Sequence, residues 1–271
     1  KLSPRTRAVF LTHVLGFNAL SDRLLNALAE RKVPLIEDVC ESHGATFRRR
    51  KLGTFGLVSN FSFYFAHHMS TIEGGMVCTD DEEAYQMARL LRSHGMVRES
   101  DSPAFRRRFE AASPDLNPKF IFAYPSGNYR STEINAVIGR SQLRRLDECN
   151  RKRVRNFERF LEGLDPGKFR KDFELEGSVN YAFVLVLKQA DEPLRDAVMK
   201  AMDARGIEYR RGTSGGGNQL RQPYLRGIIP AEAWKAYPRV DHIHFHGFYI
   251  GNYPSLEAER IRVLCDLLNE C

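Results

Sequence analysis

A chain of 271 residues, 42% hydrophobic and 28% charged, has the make-up of a globular protein that buries a substantial core. These residues hold no run of about 18 apolar residues, so no membrane-spanning helix is expected among them, nor a signal peptide ahead of the first strand. Its net charge of +7 is dispersed over separate clusters without a nucleic-acid motif, so phosphate-bearing small molecules suit it better than nucleic acid.

In chain order, residues 7–14 read as a buried strand and Gly16 breaks it. Residues 19–31 have helical periodicity through Leu20, Leu24, Leu25 and Leu28, and a second strand follows at 33–38. Strand, helix and strand with short connections predict a parallel βαβ unit. At the carboxyl end of the second strand stands Glu37-Asp38-Val39-Cys40-Glu41. Residues 57–65 form the next strand, with Phe61, Phe63 and Phe65 alternating with Ser62 and Tyr64. His67-His68 ends that run, and Glu73-Gly74-Gly75 marks a backbone turn that a Cβ would obstruct. A histidine pair at a strand end is where open α/β sheets place their chemistry.

Beyond the turn come a strand at 76–79 and a helix from Glu82 to about Ser93, capped by Asp80-Asp81. Residues 96–126 read as irregular. Gly127-Asn128-Tyr129-Arg130 then leads into a long helix that starts with Ser131 or Thr132 as its cap and ends at Gly163-Leu164-Asp165-Pro166-Gly167. That break predicts two domains, 1–164 and 165–271. The second is expected to hold a strand at 179–187, a helix at 193–205, a short strand at 207–210 and a closing helix at 256–268. His242, His244 and His246 alternate and would share one face of a strand. No carboxylate or cysteine sits at ligand spacing beside them, so no metal is expected there. Five cysteines, odd in number and without paired metal spacing, fit reduced thiols in a cytoplasmic protein.

Ser62-Phe63, three further residues, His67, and then Glu73-Gly74-Gly75 resemble the cofactor segment of the pyridoxal-phosphate (PLP) nucleotide-sugar aminotransferases. In that family a lysine stands where this chain has His67. The resemblance covers nearly the whole chain and implies a fold-type-I α/β architecture. A mostly parallel sheet flanked by helices forms the large cofactor-binding domain, and a smaller α+β domain closes the chain. The family's amino-terminal part, with its Gly-Ser/Thr phosphate loop and ring-stacking aromatic residue, has no counterpart in these residues.

An imidazole cannot form the covalent tether to PLP that a lysine amine forms. In this respect the chain resembles the hexulose 3-dehydratase branch of the family, which uses pyridoxamine phosphate (PMP) to remove a sugar hydroxyl. The resemblance implies the site roles as well. His67 would be the catalytic base and acid, since imidazole exchanges protons near neutrality. Asp38 would pair with the pyridine nitrogen, keeping the ring electron-poor, and Glu41 would lie near the ring hydroxyl. Ser62 would hold the cofactor phosphate. Asn128 would reach the phosphate in a neighbouring subunit's site, with Arg130 as an anion contact there. His68 competes with His67 but falls out of frame from Ser62.

The implied reaction removes the C3 hydroxyl of a nucleotide-linked 4-keto-6-deoxyhexose, with a GDP sugar favoured, in deoxysugar and O-antigen synthesis. L-Glutamate would restore the amine, and a homodimer would share its active sites. An iron–sulfur sub-branch is disfavoured, because its close cysteine pair falls at Arg98 and Ser100, which cannot supply thiolates. An aminotransferase that lost its lysine and a non-catalytic remnant are the alternatives.

Overall fold

The computed structural model describes residues 2–271. Strand β1 (Val9–Thr12), helix α1 (Asp22–Glu30) and strand β2 (Leu35–Asp38) come first. A hairpin of β3 (Thr46–Phe47) and β4 (Arg50–Lys51) follows, then β5 (Val58–Ser62), β6 (Gly75–Cys78), α2 (Glu82–Arg92), α3 (Pro103–Ala112) and the long α4 (Glu133–Gly163). The rest is β7 (Ala182–Val186), α5 (Glu192–Ala204), β8 (Tyr209–Arg211), α6 (Pro238–His246), β9 (Gly247–Gly251) and α7 (Ala258–Asn269). None of the described helices is long and apolar enough to cross a membrane.

The chain divides into two compact units. The first comprises the residues up to Thr12, Leu20–Cys40 and Leu52–Arg144. Its sheet has the order β1-β2-β5-β6, the first three strands parallel and β6 antiparallel to β5. The βαβ reading is therefore met. Ser21 caps α1 and Asp81 caps α2, each side chain accepting a hydrogen bond from a first-turn amide. Buried Glu37 points away from its neighbour Asp38 on β2 and anchors the approach to β5. Its carboxylate accepts hydrogen bonds from the amides of Gly53 (2.8 Å), Phe55 (2.7 Å) and Gly56 (2.7 Å).

Two expectations for this unit need correction. Residues 96–126 are not wholly irregular: Ser102 caps α3, with Pro103 in its first turn. Phe105 and Phe109 on that helix pack against Leu90, Val97 and Ile121. The strand expected to run through Phe65 stops at Ser62, because the chain then turns and the Tyr64 carbonyl accepts the His67 amide at 3.1 Å.

The second unit comprises His13–Ala19, Glu41–Lys51 and Arg145–Cys271. Its antiparallel sheet has the order β7-β9-β8. All five residues of β7 are buried, and Phe160 stacks on Phe183 at 4.6 Å between ring centres. Met202, Phe248 and Leu268 fill the same core. The two short early segments are tied in by backbone: the Val179 amide donates to Gly16 and the Thr46 amide to Gly177, both at 2.8 Å. Compactness places the division inside α4, after Arg144 and not after residue 164. Phe157, Phe160 and Leu161 of that helix belong to the second core.

The histidine run 242–246 is helical, not extended. Pro238 starts α6 and Ile243 packs on the core, so the strand begins only at Gly247. His242 and His246 therefore share a helix face, and His244 faces the Gly216–Asn218 backbone instead.

Candidate active site

Parallel strands place their carboxyl ends together, and the first unit gathers polar side chains there. Register puts Thr12 of β1 beside Asp38 of β2, and Asp38 beside Asn60 of β5. Residues in one row of a sheet share a face. Thr12 Oγ1 donates to Asp38 Oδ2 at 3.2 Å, and Asn60 Nδ2 donates to Asp38 Oδ1 at 2.9 Å. The Cys40 amide adds a third hydrogen bond to Oδ1 at 3.1 Å. The half-buried Asp38 carboxylate is thereby fixed in direction, as a carboxylate must be to hold a ring nitrogen. The Thr12 and Asn60 clamps were not singled out from sequence. Their signal is a polar residue inside each of two otherwise strand-like runs, in the row of the aspartate.

Ser62 lies two residues beyond Asn60 on β5, and so on the same face. Its hydroxyl oxygen accepts the Tyr64 amide at 3.2 Å and keeps its own proton to donate. His67 follows in the loop that leaves this strand. It is half-buried, with its ring edge-on to Tyr64 at 5.5 Å. His68 is buried, 6% exposed, in the bend that follows the end of β5.

The His67 loop is closed by its own backbone: the Phe63 amide donates to Gly74 at 2.9 Å and the Thr71 amide to Phe63 at 3.0 Å. Thr71 Oγ1 donates to the Glu73 carbonyl at 2.8 Å. Asn135, in the first turn of α4, donates Nδ2 to the carbonyl oxygens of Thr71 (2.8 Å) and Glu73 (3.2 Å). A Cβ on Gly74, at φ +157°, would come within 2.5 Å of Thr71 Oγ1, so the turn needs glycine there, while one on Gly75 would sit a tight 3.1 Å from the Phe61 carbonyl oxygen. Ile72 holds a φ of +73°, a strained conformation for a β-branched residue.

Asn128 and Arg130 lie on the exposed approach to α4. Asn128 Oδ1 accepts the Arg130 amide at 3.2 Å and Arg130 Nε at 3.0 Å. That turn leaves the Asn128 amide NH2 as a donor. Thr132 caps the helix through reciprocal hydrogen bonds with Asn135. His94 takes a left-handed turn at the end of α2, φ +59°, and its amide donates to Gly127.

Glu41 belongs to the second unit, where it is buried. Its carboxylate accepts the Leu15 amide at 2.6 Å, the Tyr181 hydroxyl at 3.1 Å and the Ser214 hydroxyl at 3.0 Å. Burial, reinforced by the Glu41 charge, pushes the Tyr181 phenol above its ordinary pKa, which keeps it a donor. This network ties the 13–19 segment and the Gly-rich 212–217 loop to one carboxylate, an organising role that the sequence did not signal.

A mostly parallel sheet with an oriented aspartate at one strand end, and a Gly-Gly-closed loop leaving the next strand, has the frame of a fold-type-I PLP aminotransferase. The pattern of the DegT/DnrJ/EryC1/StrS aminotransferase family matches residues 1–268, and the chain belongs to that family. It is 29% identical over 271 residues to the GDP-4-keto-6-deoxy-D-mannose 3-dehydratase of Yersinia pseudotuberculosis, covering 99% of this chain and 68% of that protein. It is 33% identical over 213 residues to the GDP-perosamine synthase of Caulobacter vibrioides, covering 77% of this chain and 53% of that one. A crystal structure of GDP-4-keto-6-deoxymannose-3-dehydratase with a trapped PLP-glutamate geminal diamine superimposes with a TM-score of 0.81 at 27% identity. It covers 98% of this chain and 69% of that chain. The chain thus spans about two thirds of the length of these dehydratases.

Proposed function

We propose that this chain carries the catalytic core of a PMP/PLP-dependent dehydratase. It would remove the C3 hydroxyl of a nucleotide-linked 4-keto-6-deoxyhexose, a GDP sugar by preference, with L-glutamate as amino donor. The residues present fit the coenzyme: a carboxylate held by three hydrogen bonds, a serine on the same sheet face with a proton to donate, and no lysine in the loop. Bound there, the coenzyme supplies an amine that engages the sugar ketone and a ring that draws electrons from the adjoining carbon.

Asp38 would hold the pyridine nitrogen protonated, with Thr12 and Asn60 fixing the direction of its carboxylate. Ser62 would hold the phosphate, and Asn128 would reach the phosphate in a neighbouring subunit's site. His67 would be the proton carrier of the site, its imidazole able to accept a proton beside the bound coenzyme and to return one to the departing C3 hydroxyl. With His67 and no lysine in the loop, the coenzyme would stay untethered, a condition that suits loss of the hydroxyl better than completed transamination. The observation that carries this reading is His67, on a loop closed by Thr71, Gly74 and Asn135. Exposed Tyr129, Ile134 and Val137 near Asn128 support the paired subunits that shared sites require.

The test is incubation of the protein with PMP, GDP-4-keto-6-deoxymannose and glutamate, followed by mass analysis of the sugar. A product lacking one oxygen, together with released ammonia, supports dehydration. An amino sugar, or unchanged substrate, contradicts it.

A further inference from the structure

Within the second unit, His242 and His246 stand one turn apart on α6 and line a cavity of about 390 Å3 with Trp234, Lys235 and Phe245. His242 Nε2 donates to the Leu187 carbonyl at 2.7 Å. A carbonyl can only accept, so Nε2 carries a proton and Nδ1 is the ring nitrogen left to face a ligand. A hydrogen bond of this kind, from the far nitrogen to a backbone carbonyl, orients a metal-ligating histidine. His246 is 6% exposed, and neither of its ring nitrogens has a hydrogen-bond partner among the described residues. A buried imidazole with no partner is costly, and a ligand would relieve that cost.

The spacing of the rings fits a shared ion. Their centres are 5.1 Å apart. With metal–nitrogen bonds of about 2.0 Å, two imidazoles on one tetrahedral ion place their ring centres about 5 Å apart. We propose that His242 and His246 chelate one divalent ion of the borderline transition series, such as zinc or nickel, with its remaining positions open to the cavity. Imidazole nitrogens select such ions over calcium or magnesium. The neighbouring cations have carboxylate partners of their own: Lys235 pairs with Glu232, Arg221 with Asp241 and Arg195 with Asp196. No cluster of three or more His, Cys, Asp or Glu ligands exists among the described residues, so this is a two-imidazole site completed by water or a cavity ligand. It does not depend on the dehydratase reading.

Calorimetric titration with Ni2+ alone tests it, using the intact chain and its His242→Ala and His246→Asn variants, each checked for native circular dichroism. The expected result is one ion per chain, bound at least about tenfold more weakly by either variant, because chelation makes the second imidazole intramolecular. If His246→Asn fails to fold, His242→Ala with His242→Gln serves, and both should show the loss. Equal affinity in the variants, as for an ion held by the cysteines, would overturn the proposal. So would wild-type binding no tighter than that of free imidazole.

Discussion

Asn60 donates its side-chain amide to Asp38 Oδ1 at 2.9 Å across adjacent parallel strands, opposite the Thr12 hydroxyl on Oδ2. The aspartate is gripped from both sides, so its direction is set before any ligand arrives. Asn60→Ala should leave the fold within about 1 kcal/mol of wild type, since the half-buried partner can be rehydrated. It should weaken PMP binding by roughly an order of magnitude, the worth of one charge-assisted hydrogen bond. A coenzyme titration by absorbance against the urea midpoint separates the two effects. Equal losses in both would make Asn60 merely structural.

Glu37 faces the other way on the same strand and holds three amides. Glu37→Ala leaves those donors buried and unpaired, for a loss of about 3 kcal/mol or more in folding stability. Urea denaturation measures this, and a change below about 1 kcal/mol would show that the loop at 52–56 rearranges freely.

Strain is stored at Ile72, on the loop that carries His67. Ile72→Gly removes the Cβ conflict at φ +73° and should raise stability by about 1 kcal/mol, net of the glycine's added unfolded-state entropy. Thermal unfolding reads the sign directly, and a lower midpoint would contradict it.

The Arg221–Asp241 pair makes the second unit acid-sensitive. Two parallel hydrogen bonds, at 2.5 and 2.7 Å, join the groups, and the guanidinium lies 3.5 Å over the Trp234 ring. The Arg221 hydrogen bond holds the Asp241 carboxyl below its ordinary 3.8. A depressed carboxylate pKa contributes stability above the unfolded value, and that stability is lost as pH falls through the folded one. Asp241→Asn should therefore lower the unfolding midpoint at pH 7, with the gap to wild type closing below pH 3.8. A gap independent of pH would assign the effect to packing.

Much of the first unit was legible because its signals are local. Asp81 precedes an amphipathic run, the two glycines follow a polar turn, and the hydrophobic run at 33–38 ends on Asp38. The helix at Pro103 escaped because arginines surround Phe105 and Phe109, whose packing on Leu90 and Ile121 is a tertiary fact. The histidines at 242–246 alternate as a strand would, but Pro238 at the helix start and the core position of Ile243 outweigh that period. The Asp38 clamp joins residues 26 and 22 positions apart through strand register, and no local pattern reports register.

The most direct measurement concerns residue 67 itself. His67→Lys, incubated with pyridoxal phosphate and reduced with borohydride, should carry the coenzyme covalently on Lys at that position by peptide mass mapping, whereas wild type should carry none there. Failure of the lysine variant to label at residue 67 would mean that this side chain does not face the coenzyme, and the dehydratase reading would fall with it.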